Sequence, residues 1–161
     1  MKTITLTQPW ATLVAIGAKS IETRTWGTRY RGPLAIHAAK GTKLPDGRSI
    51  ADFCLDEPFR SALFADGVRQ LVPGQDLPLG AVVATCRLVD CIRLYTDRQR
   101  GDILARWGGA HESQFGDFTF NRYAWVLADV VRLPAPVPAR GALGLWEWDA
   151  PTEVLALAGR R

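Results

Sequence analysis

Hydrophobic and polar positions change period along this chain, and the changes mark its elements. Ile4, Thr5 and Leu6 read as a short strand. Trp10, Leu13, Val14 and Gly17 then fall at i, i+3, i+4 and i+7, the buried stripe of a short amphipathic helix. Thr7 is its expected N-cap, Pro9 sits in the first turn where a missing N–H costs nothing, and Gly17 ends it. Over residues 21–26 the period drops to two. Ile21, Thr23 and Thr25 point one way, and Glu22, Arg24 and Trp26 the other. Residues 34–38 form an apolar strand that suits burial on both faces.

The second half is less regular. Residues 49–66 read as helix interrupted near Pro58, and residues 71–79, rich in Pro and Gly, as a surface connection. Residues 80–94 are the most strand-like run and are long enough to require a bend or bulge. Residues 98–107 predict a short helix, and residues 110–121 a polar and aromatic loop, partly mobile and placed to act as a lid. Residues 123–133 form a second long strand, and Pro134, Pro136 and Pro138 hold the chain extended after it. Residues 141–148 close as a strand. A short helix can follow Pro151, but residues 150–161 are expected to be a loosely ordered tail, with Arg160 and Arg161 disordered. Unequal strands, a few short helices and no regular βαβ alternation indicate an α+β fold. The expected form is a small, partly closed, mostly antiparallel β-barrel with short helices packed at its rim.

Composition narrows this picture. The 161 residues make one domain with room for a sizeable core. A formal charge of +4 and a pI near 9.3 are a modest basic lean, compatible with a polyanionic partner. The six Trp exceed what this length needs for a core, so one or two are candidate stacking platforms. Cys54, Cys86 and Cys91 form no CxxC, and Cys86 and Cys91 face opposite ways on one strand. Buried free thiols in a reducing compartment are the expectation, with no disulfide framework and no metal site. There is no secretory leader pattern and no membrane-length apolar run, so the expected location is cytoplasmic. No P-loop, Ser-His-Asp order or cofactor motif appears, and none of these patterns sets an oligomeric state.

Candidate chemistry gathers around residues 17–38. An acid, a base and a large aromatic on one strand face (Glu22, Arg24, Trp26) suit the wall of a binding cleft; a solvated ion pair beside a covering Trp is the competing reading. Lys19 precedes that strand and can lean over the same cleft, or merely meet the helix C-terminus. Gln8 can bond a ligand at the cleft mouth, or cap the helix. Arg29, Tyr30 and Arg31 interleave charge and ring, a composition suited to phosphates and bases or to an exposed loop. His37 serves either as a ligand contact or as a barrel-wall histidine, and Lys40 opens a basic loop. Arg122 and Trp125, three apart, fall on opposite strand faces, so at most one lines a cleft. Glu22 can accept from an exocyclic amine, Arg24 and Lys19 can bind a phosphate or carbonyl, and Trp10 or Trp26 can stack a base.

The segments Gln8-Pro9-Trp10-Ala11, Gly17-x-Lys19-x-x-Glu22-x-Arg24-x-Trp26 and Arg31-Gly32-x-x-x-Ile36-His37-Ala38 together resemble the ASCH domain, the activating-signal-cointegrator homology family of the PUA-like superfamily. Later segments (Gly116-Asp117-Phe118, Arg122 to Leu127, and Gly141-Ala142-Leu143-Gly144-Leu145-Trp146) resemble its bacterial and phage branch. The resemblance spans roughly residues 3–149. It implies a PUA-like β-barrel with a cleft beside the first helix and the following strand. It also implies a module binding RNA or single-stranded DNA, and the side-chain inventory above describes a pocket for a single or modified base, with no cofactor, metal or membrane expected from the sequence. The residue chemistry and the resemblance together give the candidate binding residues Gln8, Trp10, Lys19, Glu22, Arg24, Trp26, Arg29, Arg31, His37 and Lys40, of which Arg29 and Lys40 lie outside the resembling motifs. Some relatives are amidohydrolases that deacetylate N4-acetylcytidine with a Thr nucleophile beside a Lys and a Glu supplied elsewhere. This chain resembles them at Lys19 and Arg24 but carries Glu22 at the Thr position. Thr23 and Thr25 are expected to face away. The alternative function is therefore a small hydrolase of the same cleft, amidohydrolase or ribonuclease. In its amidohydrolase form Glu22 serves as general base for water and Lys19 stabilises the oxyanion.

Overall fold

The structure, a computed structural model, describes residues 1–158. Six strands form one curled, mixed half-barrel sheet: β1 (Lys2–Leu6), β2 (Ile21–Arg24), β3 (Gly32–Ala38), β4 (Ala81–Arg93), β5 (Tyr123–Pro138) and β6 (Leu145–Glu147). Their order is β2-β5-β4-β3-β1-β6. β1 and β3 run parallel, and every other neighbouring pair is antiparallel. A parallel pair needs a crossover. The chain supplies it by leaving β1 through helix α1 (Trp10–Ala15) and running along the far edge as β2 before returning as β3.

The two longest strands, β4 and β5, make the spine. Their pairing slips between Val82 and Ala84, between Thr85 and Arg87, and between Leu88 and Asp90. These irregularities bend strands too long to stay flat around a curled core. β5 also runs through the prolines expected to follow it. Arg132 faces Ala84 and Val137 faces Val82, so the stretch with Pro134 and Pro136 bows out of register where no ladder donor is required.

Helix α1 is buried on all sides. Ala11, Val14 and Ala15 pack with Ile4, Leu6, Leu34, Ile36, Leu88 and Trp125 inside the curl. Leu13 packs outward against α2 (Ile50–Phe53) and α3 (Phe59–Ala65), which break at Pro58 as the sequence indicates. Thr96 caps α4 (Asp97–Trp107), which covers Ile21 and Ala124. α1 lies between the sheet and the α2–α3 layer rather than at the rim.

Several expectations are corrected. Thr7 does not cap α1; Pro9 holds the cap position, and Gln8 supplies the side-chain bond, its Oε1 accepting from Thr12 N at 3.1 Å. The strand expected to reach Trp26 ends at Arg24. Residues 152–158 are not a loose tail: α5 (Thr152–Ala158) seats Val154, 2% exposed, against Ala35, Val82, Leu133 and Trp148. The expected disorder of Arg160 and Arg161 lies outside the described residues. No helix among the described residues is long and apolar enough to cross a membrane.

Candidate functional site

β2 is an edge strand, bonded only to β5, and its alternation sets Glu22 and Arg24 on one side. Arg24 Nε lies 3.1 Å from Glu22 Oε1, and its guanidinium also donates to the Thr5 carbonyl at 2.6 Å. The pair is largely enclosed, with Glu22 12% and Arg24 24% exposed at the side chain, so it is not the solvated surface pair of the competing reading. Trp26 lies beyond the strand end, packed edge-on against Trp125 at 4.7 Å, and its carbonyl accepts from the Trp125 indole at 3.2 Å.

Beneath the pair lies a buried charge cluster. Lys19 is 0% exposed, and its Nζ donates to the Ile21 carbonyl and to Glu112 Oε1, with Glu22 Oε2 at 4.0 Å. Glu112, 1% exposed, accepts from Ser20 N at 2.7 Å, Ser20 Oγ at 2.9 Å and Ile21 N at 3.2 Å. The two carboxylate oxygens thus meet three N–H donors, and the one proton of the Ser20 hydroxyl is shared between Glu112 and the Trp107 carbonyl at 2.5 Å. This anchors the segment expected to be a partly mobile lid. Phe115 and Phe118 are buried as well, and Trp10 Nε1 donates to the Phe115 carbonyl at 2.7 Å. The segment is a docked wall, made so by contacts too distant in sequence for local pattern to show.

The upper wall comes from Arg122, whose guanidinium pairs with Asp117 at 3.2 Å and reaches the Thr23 carbonyl at 3.4 Å. Hydrogen bonds from Thr119, with Arg122 beside it, hold the Asp117 carboxyl below its ordinary range. Asp117 N donates to Thr23 Oγ1 at 3.1 Å. Thr23, expected to face away, is nonetheless part of the lining, because residues 114–117 fold over the outer side of β2. Trp10, set against Phe53 and Phe59, completes the floor. Two adjoining pockets of about 540 and 450 Å³ result, sharing Trp10, Glu22, Thr23 and Arg122. Each falls in the range of roughly 300–1,000 Å³ typical of small-molecule sites.

The structure divides the expected site residues. Trp10, Glu22, Arg24 and Trp26 line this cleft. Lys19 lies under it, closed to solvent. Gln8 is corrected to a structural role: it is 0% exposed, and both ends of its amide are spent on Thr12 N and the Pro78 carbonyl. Arg29 is exposed in the turn after β2 and lines neither pocket. Arg31 pairs with Asp90 at 3.0 Å, away from the cleft. His37 and Lys40 line a separate cleft at the far end of β1 and β3. Arg122, expected on the same strand as Trp125, precedes β5 and lines the cleft, while Trp125 is fully buried. Local pattern offers Arg122 only as an alternative to Trp125, and Glu112 is the contributor that it does not single out. The only sequence signal toward Glu112 is the resemblance, which implies a Glu from elsewhere without placing it. Among the described residues no group of three His, Cys, Asp or Glu is placed to hold a metal ion.

Comparison with known proteins agrees with this architecture. The ASCH domain family matches residues 4–130 of the chain. A search of the curated proteins finds no match. Among solved structures, the crystal structure of ASCH from Zymomonas mobilis aligns with a TM-score of 0.52 at 13% identity, covering 97% of this chain and 91% of that one. A mutant form of the Zymomonas mobilis protein aligns at 0.45 and 15% identity, covering 85% and 74%. The first of these likenesses extends the shared fold beyond the matched residues, and since the family match itself takes in well over half of the sequence, the chain belongs to the ASCH domain family.

Proposed function

We propose that the cleft beside α1 and β2 binds one base of a single-stranded nucleic acid. The observation that carries this reading is the position of Glu22. Its carboxylate is held by Arg24, with Lys19 behind it, in an enclosed space between Trp10 and Trp26. A carboxylate so held is an acceptor for an exocyclic amine such as cytosine N4. Trp10 and Trp26 offer π-faces, and base stacking contributes about 1–3 kcal/mol. The guanidinium edges of Arg24 and Arg122 suit carbonyl oxygens.

Charge balance supports a base rather than a row of phosphates here. Lys19, Arg24 and Arg122 are each matched by Glu22, Glu112 or Asp117 within salt-bridge distance. A site whose cations are already neutralised has little pull on a polyanion, but its fixed dipoles can read the edge of a base. The hydrolytic alternative is less well supported, because the ammonium of Lys19 is spent on Ile21, Glu112 and Glu22 and is closed to solvent.

Titration of free cytidine and N4-acetylcytidine, followed by tryptophan fluorescence, tests the cleft directly. Binding should quench the signal, and Glu22→Gln should weaken it by about tenfold, the loss of one charge-assisted hydrogen bond. Equal affinity in the wild type and Glu22→Gln, or no binding of either nucleoside, would remove the base from this cleft. Conversion of N4-acetylcytidine to cytidine by the wild type, abolished in Glu22→Gln, would instead favour the hydrolase.

A further inference from the structure

A second cleft, of about 1070 Å³, opens where β1 and β3 end and β5 runs into the segment leading to β6. Its cations differ from those of the first. Lys40 and Arg140 are both exposed, and among the described residues neither makes an ion pair or a side-chain hydrogen bond. No acidic side chain lines it. The modest basic excess of the chain therefore acts here without local compensation, whereas the base cleft is neutral.

The two clefts meet at one residue. The Thr5 carbonyl accepts from Arg24 on the first side. On the second side, Thr5 Oγ1 donates to the Ala142 carbonyl at 3.1 Å and accepts from the Trp146 indole at 3.2 Å. Beside it stands His37, 2% exposed, with Nε2 donating to the Ala139 carbonyl at 3.1 Å. That tautomer leaves Nδ1 an acceptor, and Nδ1 has no partner. Gly141 covers it closely; a Cβ there would come within 2.8 Å of Nδ1. Gly141 thus closes Nδ1 off from the cleft, and the groups the cleft offers a ligand are the two exposed cations.

From this juxtaposition we infer that the second cleft is a phosphate subsite: Lys40 and Arg140 hold the backbone of a single-stranded nucleic acid whose base enters the first cleft across Thr5. The inference starts from the base-binding reading above, but it concerns different residues and predicts a different dependence. The base cleft should be insensitive to salt. The phosphate cleft should carry the salt dependence, because each neutralised phosphate releases counterions.

The test separates the two with two probes. The first is a fluorescein-labelled, base-free strand of tetrahydrofuran phosphate units, read by anisotropy at several salt concentrations. Wild-type protein should bind it, more weakly as salt rises. Lys40→Ala/Arg140→Ala should weaken binding and reduce the slope of log K against log salt by about 1.4, two phosphates at about 0.7 each. Arg98→Ala/Arg106→Ala, on helix α4 and lining neither cleft, removes the same charge and should leave the slope unchanged. Failure of the wild type to bind the base-free strand overturns the subsite. So does an unchanged slope in the Lys40/Arg140 variant, or an equal loss in the α4 variant, which would indicate diffuse charge. The second probe is free cytidine. If the base-free strand binds through Lys40 and Arg140 and cytidine does not bind, the base cleft fails and the phosphate subsite stands. Because all four substituted side chains are exposed, thermal melts should show each variant folded.

Discussion

Glu112→Ala should be among the most damaging single substitutions in this protein, although the residue opens only a single 3-10 turn between α4 and β5. Its carboxylate is 1% exposed and meets the Lys19 ammonium at 3.4 Å, the Ser20 and Ile21 N–H groups at 2.7 and 3.2 Å, and the Ser20 hydroxyl at 2.9 Å. Removing one partner of a buried ion pair costs about 3–5 kcal/mol when the other charge loses its close counter-charge; Lys19 would keep only Glu22 Oε2, at 4.0 Å. Each orphaned buried N–H adds about 1–3 kcal/mol, though relaxation makes the sum less than additive. A loss of at least about 4 kcal/mol follows, a large share of the roughly 5–15 kcal/mol that holds a typical domain folded. For a chain of this size that corresponds to roughly 8–16 °C in Tm. Urea unfolding followed by tryptophan fluorescence measures it. Lys19→Met/Glu112→Ala removes the stranded charge along with its partner. It should therefore be less destabilised than the sum of its two single variants, by about 2 kcal/mol. If Glu112→Ala lies within 1 kcal/mol of the wild type, or the two single effects simply add, the charge cluster does not do what its geometry indicates. The consequence reaches the cleft, because Glu112 holds the start of β2, whose pairing runs only to β5.

Other consequences are simpler to read. Burial pushes the thiols of Cys54 and Cys86 up to about 12, while Cys91 is partly exposed. A thiol reagent should therefore label one cysteine of the native protein at neutral pH and all three after denaturation; labelling of Cys54 or Cys86 in the fold would contradict their burial. Burial also lowers the pKa of His37, against a smaller opposing effect of the Ala139 carbonyl. The unfolded chain then binds a proton more readily than the folded one, so this residue's contribution is complete above about pH 6.5 and is lost as the pH falls through the lowered value. Urea midpoints at pH 7.5 and 5.5 should differ less in His37→Gln than in the wild type, and an identical difference would exclude His37 as a source. Trp125→Ala should cost about 3–5 kcal/mol, since the side chain is 0% exposed at the centre of the main core, and a near-native melt would contradict that position.

Local pattern carries a good deal of this protein. The two-residue period in residues 21–24 correctly paired Glu22 with Arg24 on one face, whereas the three-residue offset did not apply to Arg122, which precedes β5. The long apolar runs became β4 and β5, with the bulges their length required. The helix break at Pro58 was equally legible. What failed had a common cause. Lys19 was expected to lean over the cleft, but its partner is 93 positions away and pulls it under the floor. Gln8 looked available to a ligand until the Pro78 carbonyl, 70 positions on, took its amide.

A sequence alone determines the side of its own strand or helix that a residue occupies, because backbone geometry sets that period locally. Here it was enough to establish the α+β half-barrel, the Glu22–Arg24 face and the burial of two of the three thiols, Cys91 being partly exposed where all three were expected to be buried. It does not determine what stands opposite that face. Whether a charged side chain meets solvent, a ligand or a buried counter-charge depends on which distant segment closes over it. Residues 112–122 decided that for Lys19, Thr23 and Glu22, and the segment from Ala139 to Leu143 decided it for His37. The neutral cleft and the uncompensated one are products of that closure, since charges balance through space and only the folded chain brings them within reach.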